Sequence, residues 1–319
     1  MRERPKLTII GPGAIGCLIA GYIERLGQPV SILDYKGDRA ERLSKTGIEI
    51  DAGRTRFKVY PHITADAATL GVQDWVLILV KANQTDKALK EAKPLIGAET
   101  IVISLQNGIG QEEAILRAVR PECIALGITA QGATLIKEGC VKHLGTGDTK
   151  IGLLKPCDWA KAKVDLFADT LSRAGWSCSV PDDITPYIWR KFLANVGINA
   201  ITALTGIKNG EILGFADAKK LQELAVAEAW RVAVKKGIKI DLNLHEAISL
   251  VRSVCERTSE NISSMLQDRI FQRPTEIDYI NGAVVKMGLE LGVETPINEV
   301  LNMLVKINSI KGWETVKPD

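Results

Sequence analysis

Short apolar runs alternate with amphipathic stretches through the first half of the chain. Helical patterns, near residues 85–93 and 111–119, separate runs that have the length and the Val and Ile content of strands: Leu7–Ile10, Pro29–Leu33, Trp75–Val80 and Thr100–Ser104. Strands that alternate with helices predict right-handed crossovers and a parallel sheet covered on both faces. The first half is therefore expected to be an α/β domain.

Further strand-like pieces extend this half of the chain. They lie at residues 123–128, 133–136 and 150–153. Between Gly47 and Tyr60 polar and apolar residues alternate, which predicts a hairpin inserted into the α/β domain.

After Pro181 the pattern changes to helices only. The helical stretches cover residues 184–204, 216–236, 244–256, 260–271, 276–291 and 297–307. Gly237 and Gly292 stand where helices are expected to end, and Pro274 and Pro296 precede helix starts. We therefore predict an α/β domain over residues 1–181 and an all-helical domain over residues 182–319.

Composition and charge exclude several classes of protein. The 319 residues carry a formal net charge of +3, which does not fit a dedicated nucleic-acid binder. No apolar run approaches the roughly 20 residues of a membrane-spanning helix, and no signal peptide is visible. The six cysteines form no C-x-x-C pair and the histidines do not cluster, so no metal is expected. The expectation is a cytoplasmic protein with reduced thiols and without nucleic-acid or membrane partners.

A glycine-rich loop joins the first strand to the first helix. Gly11-Pro12-Gly13-Ala14-Ile15-Gly16 matches G-x-G-x-x-G in the strand–loop–helix context that this motif requires. The first glycine permits the tight turn, the second lets the backbone approach a pyrophosphate, and the third allows close packing of helix on sheet. A purely structural turn is the alternative, but the context favours a dinucleotide site in a Rossmann domain.

The residue that ends the second strand bears on the choice of dinucleotide. An acid at the position of Asp34 accepts hydrogen bonds from the ribose of NAD and repels the 2′-phosphate of NADP. Lys36 and Arg39 follow closely and are able to reach a 2′-phosphate. The residues alone leave both cofactors open, and an ordinary turn aspartate is a third interpretation.

Three polar residues are expected to share one face of an apolar helix. Lys191, Asn195 and Asn199 follow one another at i, i+4 and i+8. Buried without partners, each would cost about 1–3 kcal/mol, and the charged lysine more. Either a network inside the protein pairs them, or they line a cleft in which a ligand does. The predicted dinucleotide site elsewhere in the chain favours the cleft.

A second polar group follows in the helical half. Asn261 and Ser264 are spaced i, i+3, which predicts a shared helix face. Thr275 is expected to be the N-cap of the next helix and Glu276 its first residue. Taken alone, Glu276 is explained as favourable charge at a helix N-terminus.

Together these residues resemble the ketopantoate reductase (2-dehydropantoate 2-reductase) family. Besides the glycine loop and the Lys191 stripe, the resemblance rests on Lys81-Ala-Asn-Gln84, Gln106-Asn107-Gly108, Asn209-Gly210-Glu211, residues 263–268 and residues 275–282. It implies a Rossmann domain followed by an all-α domain like the C-terminal domain of 6-phosphogluconate dehydrogenase. It also implies an oxidoreductase acting on CH–OH that reduces 2-dehydropantoate to pantoate with NADPH, for pantothenate and coenzyme A biosynthesis.

The resemblance implies roles for single residues. Lys191 matches the general acid, which stabilises and protonates the oxygen that gains charge on hydride addition, and Glu276 matches a residue near cofactor and substrate; both are expected to be catalytic. With Asp34, the expected cofactor-binding residues are Gly11, Pro12, Gly13, Ala14, Ile15, Gly16, Lys81, Asn107, Glu276 and, as a looser match, Ala133. The expected substrate-binding residues are Asn107, Lys191, Asn195, Asn199, Asn209, Asn261 and Ser264.

The chain departs from the family pattern after the second strand. NADPH-using members commonly have a basic residue there, whereas this chain has Asp34-Tyr35-Lys36. NADP(H) is the cofactor implied by the resemblance, and Asp34 keeps NAD(H) open. An NADH-dependent dehydrogenase of another 2-oxo or 2-hydroxy acid is therefore the alternative function, and a non-catalytic dinucleotide sensor is a further one. The expected partner is a small 2-oxo acid, and the apolar C-terminal helices leave a homodimer open.

Overall fold

The computed structural model describes residues 4–311, which form two compact units. The first unit contains the chain up to Gln106 together with Gln111–Ile184. The second contains Asn107–Gly110 and the chain from Thr185 onward. The division after residue 184 lies close to the predicted boundary after residue 181, whereas the sequence pattern does not indicate the separate piece at Asn107–Gly110.

The strands of the first unit form two sheets. They are β1 (Leu7–Ile10), β2 (Val30–Leu33), β3 (Ile48–Asp51), β4 (Arg56–Val59), β5 (His62–Thr64), β6 (Trp75–Ile78), β7 (Ile101–Ser104), β8 (Ile124–Thr129), β9 (Gly132–Lys137), β10 (Cys140–Gly145), β11 (Thr149–Leu153) and β12 (Cys178–Ser179). The larger sheet has the order β12-β11-β8-β7-β6-β1-β2-β5, and the smaller one β4-β3-β10-β9. In the larger sheet neighbouring strands are parallel except β8 and β11. The β3–β4 pair is the predicted hairpin.

The larger sheet is covered by helices. These are α1 (Ala14–Arg25), α2 (Gly37–Thr46), α3 (Thr85–Glu91), α4 (Glu112–Leu116) and α5 (Asp158–Arg173). Every residue of β1, β6 and β7 is buried, as expected for parallel strands with both faces covered. The apolar runs seen in the sequence therefore become the central strands, and their carboxyl ends carry the glycine loop, Lys81 and Asn107.

The second unit is helical throughout its main elements. They are α6 (Thr185–Thr205), α7 (Ala216–Lys235), α8 (Leu244–Arg257), α9 (Ser264–Ile270), α10 (Asn281–Leu291) and α11 (Pro296–Lys311). Helix α6 packs against α7, α8, α9 and α11, so most of its surface is inside the unit. Polar side chains on α6 are consequently held in an apolar environment. The predicted order, an α/β domain followed by an all-α domain, is confirmed.

The segment Asn107–Gly110 belongs to the helical unit because of a close backbone contact. The N–H of Ile109 donates to the carbonyl of Tyr279 at 3.0 Å. Gly108 has a φ of +80°, and a β-carbon there would lie 2.2 Å from the same carbonyl oxygen. Only glycine therefore allows this approach, which brings Asn107 to the helices.

Two helix predictions are wrong in their boundaries. The stretch 260–271 becomes α-helical only at Ser264, because the Ser263 hydroxyl caps the helix by accepting from the N–H of Leu266 at 3.0 Å. Asn261 lies before this helix, so the predicted shared face with Ser264 does not exist.

The stretch 276–291 is also interrupted. Glu276 precedes a 3₁₀ turn at Ile277–Tyr279, and α10 begins only at Asn281. Ile280 has a φ of −117° and a ψ of −95°, which breaks the helical path. Thr275 is therefore not the N-cap of an α-helix, and Glu276 is not the first residue of one.

Within residues 4–311, none of the helices combines the length and apolarity that crossing a membrane requires. No group of His, Cys, Asp or Glu side chains in that range is arranged to hold a metal ion. The six cysteines are all free thiols.

Candidate active site

The glycine loop turns tightly from β1 into α1. Gly11 has a φ of +102°, and a β-carbon there would lie 3.0 Å from Val80 Cγ1. A β-carbon on Gly16 would lie 2.2 Å from the carbonyl oxygen of Gly11, which is closer than real β-carbons come. The fold itself therefore requires glycine at both positions.

Gly13 differs from the other two glycines. Its φ of −76° suits any residue, and no atom lies within 4 Å of the place that a β-carbon would take. Gly13 is the N-cap of α1 and, as a glycine, has no side chain with which to cap this helix start. Around it Pro12 is buried, while Ala14 and Ile15 are partly exposed. Open space in front of an uncapped helix N-terminus is the environment that a pyrophosphate requires.

Lys81 and Ala133 lie in different parts of the first unit. Lys81 follows Val80, whose backbone nitrogen is 3.1 Å from the β-carbon position of Gly11. Ala133 lies in β9 opposite His143 of β10 and packs on the core that includes α1. Lys81 is thus next to the glycine loop, and Ala133 is in the smaller sheet.

Asp34 is buried at the end of β2 and is bound by an arginine. Arg39 Nε and Nη2 donate to Asp34 Oδ2 and Oδ1, each at 2.5 Å, and the N–H of Lys36 donates to Oδ1 at 3.1 Å. The Asp34 side chain is 0% exposed, and that of Arg39 is 22% exposed. Hydrogen bonding to Asp34 raises the pKa of Arg39. The sequence indicated both residues as candidate cofactor contacts, but not that they bind each other.

Tyr35 forms an exposed aromatic surface beside this pair. The nitrogens of Lys36 and Lys87 each lie 5.7 Å from the ring centre, and the Arg39 guanidinium carbon lies 5.4 Å from it. Three cations therefore surround one ring at the carboxyl end of β2, although Arg39 is paired with Asp34 and Lys87 with Glu91.

Lys191 is the central titratable group of the helical unit. It extends from α6, and its Nζ donates to Asn107 Oδ1 at 2.9 Å. Burial lowers the pKa of Lys191 to about 8, and the negative charge of Glu276 partly opposes this shift. Lys191, Asn107 and Glu276 come from three separate segments and are brought together by the fold. A lysine with a pKa this close to neutral is suited to proton transfer.

Asn199 and Asn209 are buried polar side chains with incomplete hydrogen bonding. Asn199 is 4% exposed and Asn209 is 7% exposed. In the part of the chain that the structure describes, Asn199 Nδ2 and Asn209 Oδ1 have no hydrogen-bond partner. Asn209 Nδ2 donates to Thr258 Oγ1 at 3.0 Å, which fixes the amide. Since an unpaired buried polar atom costs about 1–3 kcal/mol, both positions favour a ligand that supplies the missing partners.

The other predicted substrate residues are more accessible. Asn195 is partly exposed on α6, and Asn261 and Ser264 are exposed. The carbonyl of Asn261 accepts from the N–H of Asn209 at 3.0 Å, so these two residues are neighbours. Ser264 is the first residue of α9.

Sequence reasoning missed a buried network that holds α6 in place. Glu228 of α7 accepts from the N–H groups of Ile297 and Asn298, each at 3.0 Å, and from Asn298 Nδ2 at 2.7 Å. Asn281 Nδ2 donates to Asn298 Oδ1 at 2.9 Å and to the carbonyl of Val196 in α6 at 3.3 Å. This network connects four helices and sets the position of the helix that carries Lys191. One sequence signal was available, namely a carboxylate on the apolar side of α7.

A glycine loop at the edge of a parallel sheet, followed by a helical unit with a lysine of lowered pKa, defines the class: NAD(P)-dependent oxidoreductases with a Rossmann domain and a helical domain. The sequence profile of "Ketopantoate reductase PanE/ApbA" matches residues 7–156, and that of its C-terminal part matches residues 183–308. The chain belongs to the ketopantoate reductase family.

Individual relatives agree with this assignment. A 2-dehydropantoate 2-reductase from Pyrococcus horikoshii is 35% identical over 312 residues, which are 96% of this chain and 98% of the relative. The ternary structure of D-mandelate dehydrogenase with NADH and anilino(oxo)acetate has a TM-score of 0.89 at 30% identity, covering 96% of this chain and 98% of that one. A PanE/ApbA family ketopantoate reductase from Ralstonia eutropha JMP134 has a TM-score of 0.86 at 26% identity, and the match covers 96% of this chain and 99% of that one. The predicted family is therefore confirmed.

Proposed function

We propose that this protein reduces 2-dehydropantoate to pantoate with a nicotinamide cofactor, a step of pantothenate and coenzyme A biosynthesis. The observation that carries the proposal is Lys191, with Nζ 2.9 Å from Asn107 Oδ1 and a pKa lowered to about 8, in a member of the ketopantoate reductase family. The relative from Pyrococcus horikoshii carries the name of this reaction.

The glycine loop is the part of the chain that would hold the cofactor. Gly13 leaves its side of the loop open, and the uncapped start of α1 offers N–H groups to a pyrophosphate. Lys81 adds a positive charge beside Gly11. When bound, the reduced nicotinamide supplies the hydride that adds to the carbonyl carbon of the substrate.

Lys191 supplies the proton in this proposal. Hydride addition leaves negative charge on the carbonyl oxygen, and a positioned ammonium stabilises that charge and transfers a proton to it. With a pKa of about 8, Lys191 is mostly protonated at pH 7 and is a stronger acid than an ordinary lysine. Asn107 orients the ammonium by accepting its hydrogen bond, and Glu276 favours the charged form.

The buried asparagines are suited to bind a small hydroxy-oxo acid. Asn199 offers a donor and Asn209 an acceptor, each without a partner among the described residues. Together they complement a substrate that has both hydrogen-bond acceptors and a hydroxyl donor. Asn195, Asn261 and Ser264 are proposed as the more accessible contacts.

The test of the reaction is a matrix of substrates and cofactors. Purified protein is assayed with NADH and with NADPH against 2-dehydropantoate, an aryl 2-oxo acid and a short branched 2-oxo acid. The proposal expects the highest kcat/KM with 2-dehydropantoate. A higher value with another acid would retain the class of enzyme and replace the substrate.

A second candidate function is the dehydrogenation of an aryl 2-hydroxy acid. The observation that favours it is the similarity to D-mandelate dehydrogenase, with a TM-score of 0.89. The aryl 2-oxo acid in the same matrix decides between the two candidates.

We also propose that NADH is preferred over NADPH. Asp34 ends β2, at the position where an acid typically receives the ribose hydroxyls of NAD, and its carboxylate is covered by Arg39. A 2′-phosphate would instead bring like charge to this carboxylate. Drawing Arg39 away from it would break a buried ion pair, which typically costs about 3–5 kcal/mol.

The preference is tested with Asp34→Asn, which keeps the side-chain shape and removes the charge. The wild type should have the higher kcat/KM with NADH, and the variant should shift the NADH-to-NADPH ratio toward NADPH by about tenfold, or about 1.4 kcal/mol. A wild type that prefers NADPH would overturn this preference without affecting the proposed reaction.

A cytoplasmic location is a further proposal. It is supported by the six cysteines, all of which are free thiols, as is usual in a reducing compartment. Cell fractionation with a specific antibody tests it.

A further inference from the structure

A buried carboxylate of α7 stands at one end of a chain of hydrogen bonds. Glu228 is 3% exposed, and both of its oxygens are used as acceptors. Oε1 accepts from the N–H of Ile297, and Oε2 accepts from the N–H and from Nδ2 of Asn298. Both N–H groups belong to the first turn of α11, so Glu228 also supplies favourable charge at the start of that helix. Since every one of these partners is a donor, the position requires a group that accepts with both oxygens.

The carboxylate fixes the orientation of two buried amides. Asn298 directs its Nδ2 to Glu228 and to the carbonyl of Ala225, at 2.7 and 3.0 Å. Its Oδ1 is thereby turned toward Asn281, whose Nδ2 donates to it at 2.9 Å. The same Nδ2 donates to the carbonyl of Val196 in α6 at 3.3 Å. Rotating either amide by 180° would bring its oxygen against acceptors, so each hydrogen bond has only one direction.

The last of these hydrogen bonds reaches α6 close to its polar face. Val196 lies five residues after Lys191, which is about one and a half helical turns. At the next residue, Gly197, a β-carbon would lie 2.7 Å from Val226 Cγ2 and 2.9 Å from Val251 Cγ1. This close packing on α7 and α8 fixes the distance of α6 from its neighbours. The hydrogen bond to the Val196 carbonyl adds a constraint on the rotation of α6 and on its position along its own axis.

The position of α6 matters for Lys191 because the contacts of its ammonium are directional. Lys191 Nζ donates to Asn107 Oδ1 at 2.9 Å, and Glu276 acts on the same charge. A displacement of α6 by about 1 Å would stretch this contact beyond the normal length of a hydrogen bond, and misplacements of that size are able to lower rates strongly.

We propose that Glu228 is a positioning residue for the reaction: through Asn298 and Asn281 it holds α6, and with it Lys191, in the place from which the proton is donated. This inference rests on the proposed function, in which Lys191 is the acid. It also explains why α7 has a carboxylate on its buried side. An apolar side chain would pack into the same core but would not orient the two amides.

The first test is Glu228→Gln, which keeps the size of the side chain and replaces one acceptor oxygen with a donor. In either orientation the new amide directs its NH2 group at an N–H donor of α11, which disturbs the orientation of Asn298. We expect kcat to fall by about tenfold or more with an unchanged Kd for the cofactor. The pH at which kcat declines should rise by about half a unit or more, because a displaced Lys191 is less buried. Glu223→Gln is the matched control, since Glu223 of α7 is partly exposed and paired with Arg252, and it should retain the wild-type kcat and pH profile.

The second test determines whether Glu228 acts through the asparagines. Asn281→Ala removes the hydrogen bond to Val196 and leaves the contacts of Glu228 with α11 intact, so it tests the proposal even if Glu228→Gln does not fold. It should change kcat and the pH profile in the same direction as Glu228→Gln. The double variant should be no less active than the more impaired single variant, because both substitutions interrupt the same chain of contacts. Losses in kcat that multiply would overturn the proposal, and so would folded single variants with the wild-type kcat and pH profile.

A measurement that does not depend on activity separates this inference from the proposed function. NMR of protein with ¹⁵N-labelled lysine follows the ionisation of Lys191, whose signal is assigned by its absence in Lys191→Met. The midpoint should lie near pH 8 in the wild type and should rise by about half a unit or more in Glu228→Gln and in Asn281→Ala. A wild type that does not reduce 2-dehydropantoate would refute the proposed function and leave this shift measurable. A midpoint that does not move in either variant would refute the positioning role.

Discussion

The glycine loop and the polar face of α6 differ in what constrains their residues, which is mainly chain packing in the loop and the proposed ligand on α6. In the loop, Gly11 and Gly16 are required by the packing of the chain itself, and only Gly13 faces open space. On α6, burial lowers the pKa of Lys191, and Asn199 holds a buried donor without a partner among the described residues. In the loop, folding requires Gly11 and Gly16 and the proposed binding requires Gly13, whereas the polar side chains of α6 serve the proposed activity. Substitutions in the loop should damage folding, with Gly13 as the exception, whereas substitutions on α6 should damage activity and spare stability.

The largest expected effect is on catalysis by Lys191→Met. The variant keeps the length and much of the shape of the side chain but has no proton to give, so kcat should fall by roughly 10²- to 10⁴-fold. Dissociation constants for the cofactor should not change. In the wild type kcat for reduction should decline as the pH rises through about 8, since Lys191 must be protonated. Steady-state kinetics over pH and fluorescence titration of the cofactor provide the measurements.

The matched control for that variant is Lys220→Met, at an exposed lysine of α7. It should retain the wild-type kcat and pH profile. If Lys191→Met also retains kcat, another group donates the proton and the polar face of α6 loses its proposed role.

The next effect separates the three glycines. Gly16→Ala places a β-carbon 2.2 Å from the Gly11 carbonyl oxygen and should destabilise the protein. The loss should exceed about 3 kcal/mol, as for overpacking that the backbone must absorb. Gly13→Ala meets no atom within 4 Å, so its stability should change by less than about 1 kcal/mol, the cost of alanine at an N-cap. Its Kd for the dinucleotide should nevertheless rise by about tenfold or more, because the added methyl group occupies the approach to the backbone.

Urea denaturation and cofactor titration of both variants measure these effects. A Gly13→Ala protein with unchanged cofactor affinity would make the loop a purely structural turn. In that case no residue of the loop would serve cofactor binding, and the comparison with α6 would lose its basis.

A smaller effect distinguishes two buried asparagines of the helical unit. Asn281 Nδ2 is paired with Asn298 Oδ1 and the Val196 carbonyl, whereas Asn199 Nδ2 has no partner among the described residues. Asn281→Leu leaves those two acceptors buried and should cost about 2–3 kcal/mol. Asn199→Leu removes an unpaired donor at similar volume and should change stability by less than about 1 kcal/mol, while KM for the 2-oxo acid rises. Equal destabilisation by both variants would mean that Asn199 belongs to the folding network.

The central fold was predictable because its signals are local. Parallel strands buried on both faces are continuous apolar runs, so β1, β6 and β7 are visible directly in the sequence. Helix α5 and strand β10 were missed. The strand is partly exposed on both faces and gives no clear alternation. The helix does carry an amphipathic pattern, since Ala160, Val164, Phe167, Ala168 and Leu171 share its buried side, so this signal was present in the sequence and was overlooked.

Residues of the candidate site were predictable only at positions where a single physical reason explains the residue type. Gly11 and Gly16 are explained by backbone geometry, and the i, i+4 spacing placed Lys191 and Asn195 on one helix face. The pairing of Asp34 with Arg39 depends on the side chains of a strand end and a helix, and the position of Asn107 depends on the distant carbonyl of Tyr279. Periodicity carries no information about such contacts, and the missed boundary at Asn261 has the same origin, since the cap of α9 is formed by Ser263.

The smallest expected effect is on stability, and it has an unusual direction. The pKa of Lys191 is lowered from 10.5 to about 8 in the folded chain, so holding its charge inside costs about 3 kcal/mol at pH 7. Lys191→Met removes this cost but leaves Asn107 Oδ1 without its donor, which destabilises the variant by about 1–2 kcal/mol, so on balance the variant should be more stable than the wild type by about 1 kcal/mol.

This gain in stability depends on pH. Below pH 8 the lysine is charged in both the folded and the unfolded state, and the gain is complete. Between pH 8 and about 10.5 the unfolded chain binds more protons than the folded one, so the wild type gains stability with pH and the difference shrinks. Denaturation curves at pH 7 and pH 10 measure this, with Lys220→Met as the variant whose difference from the wild type should not depend on pH. A Lys191→Met protein that is less stable than the wild type at pH 7 would show that the fold does not hold this lysine at a cost.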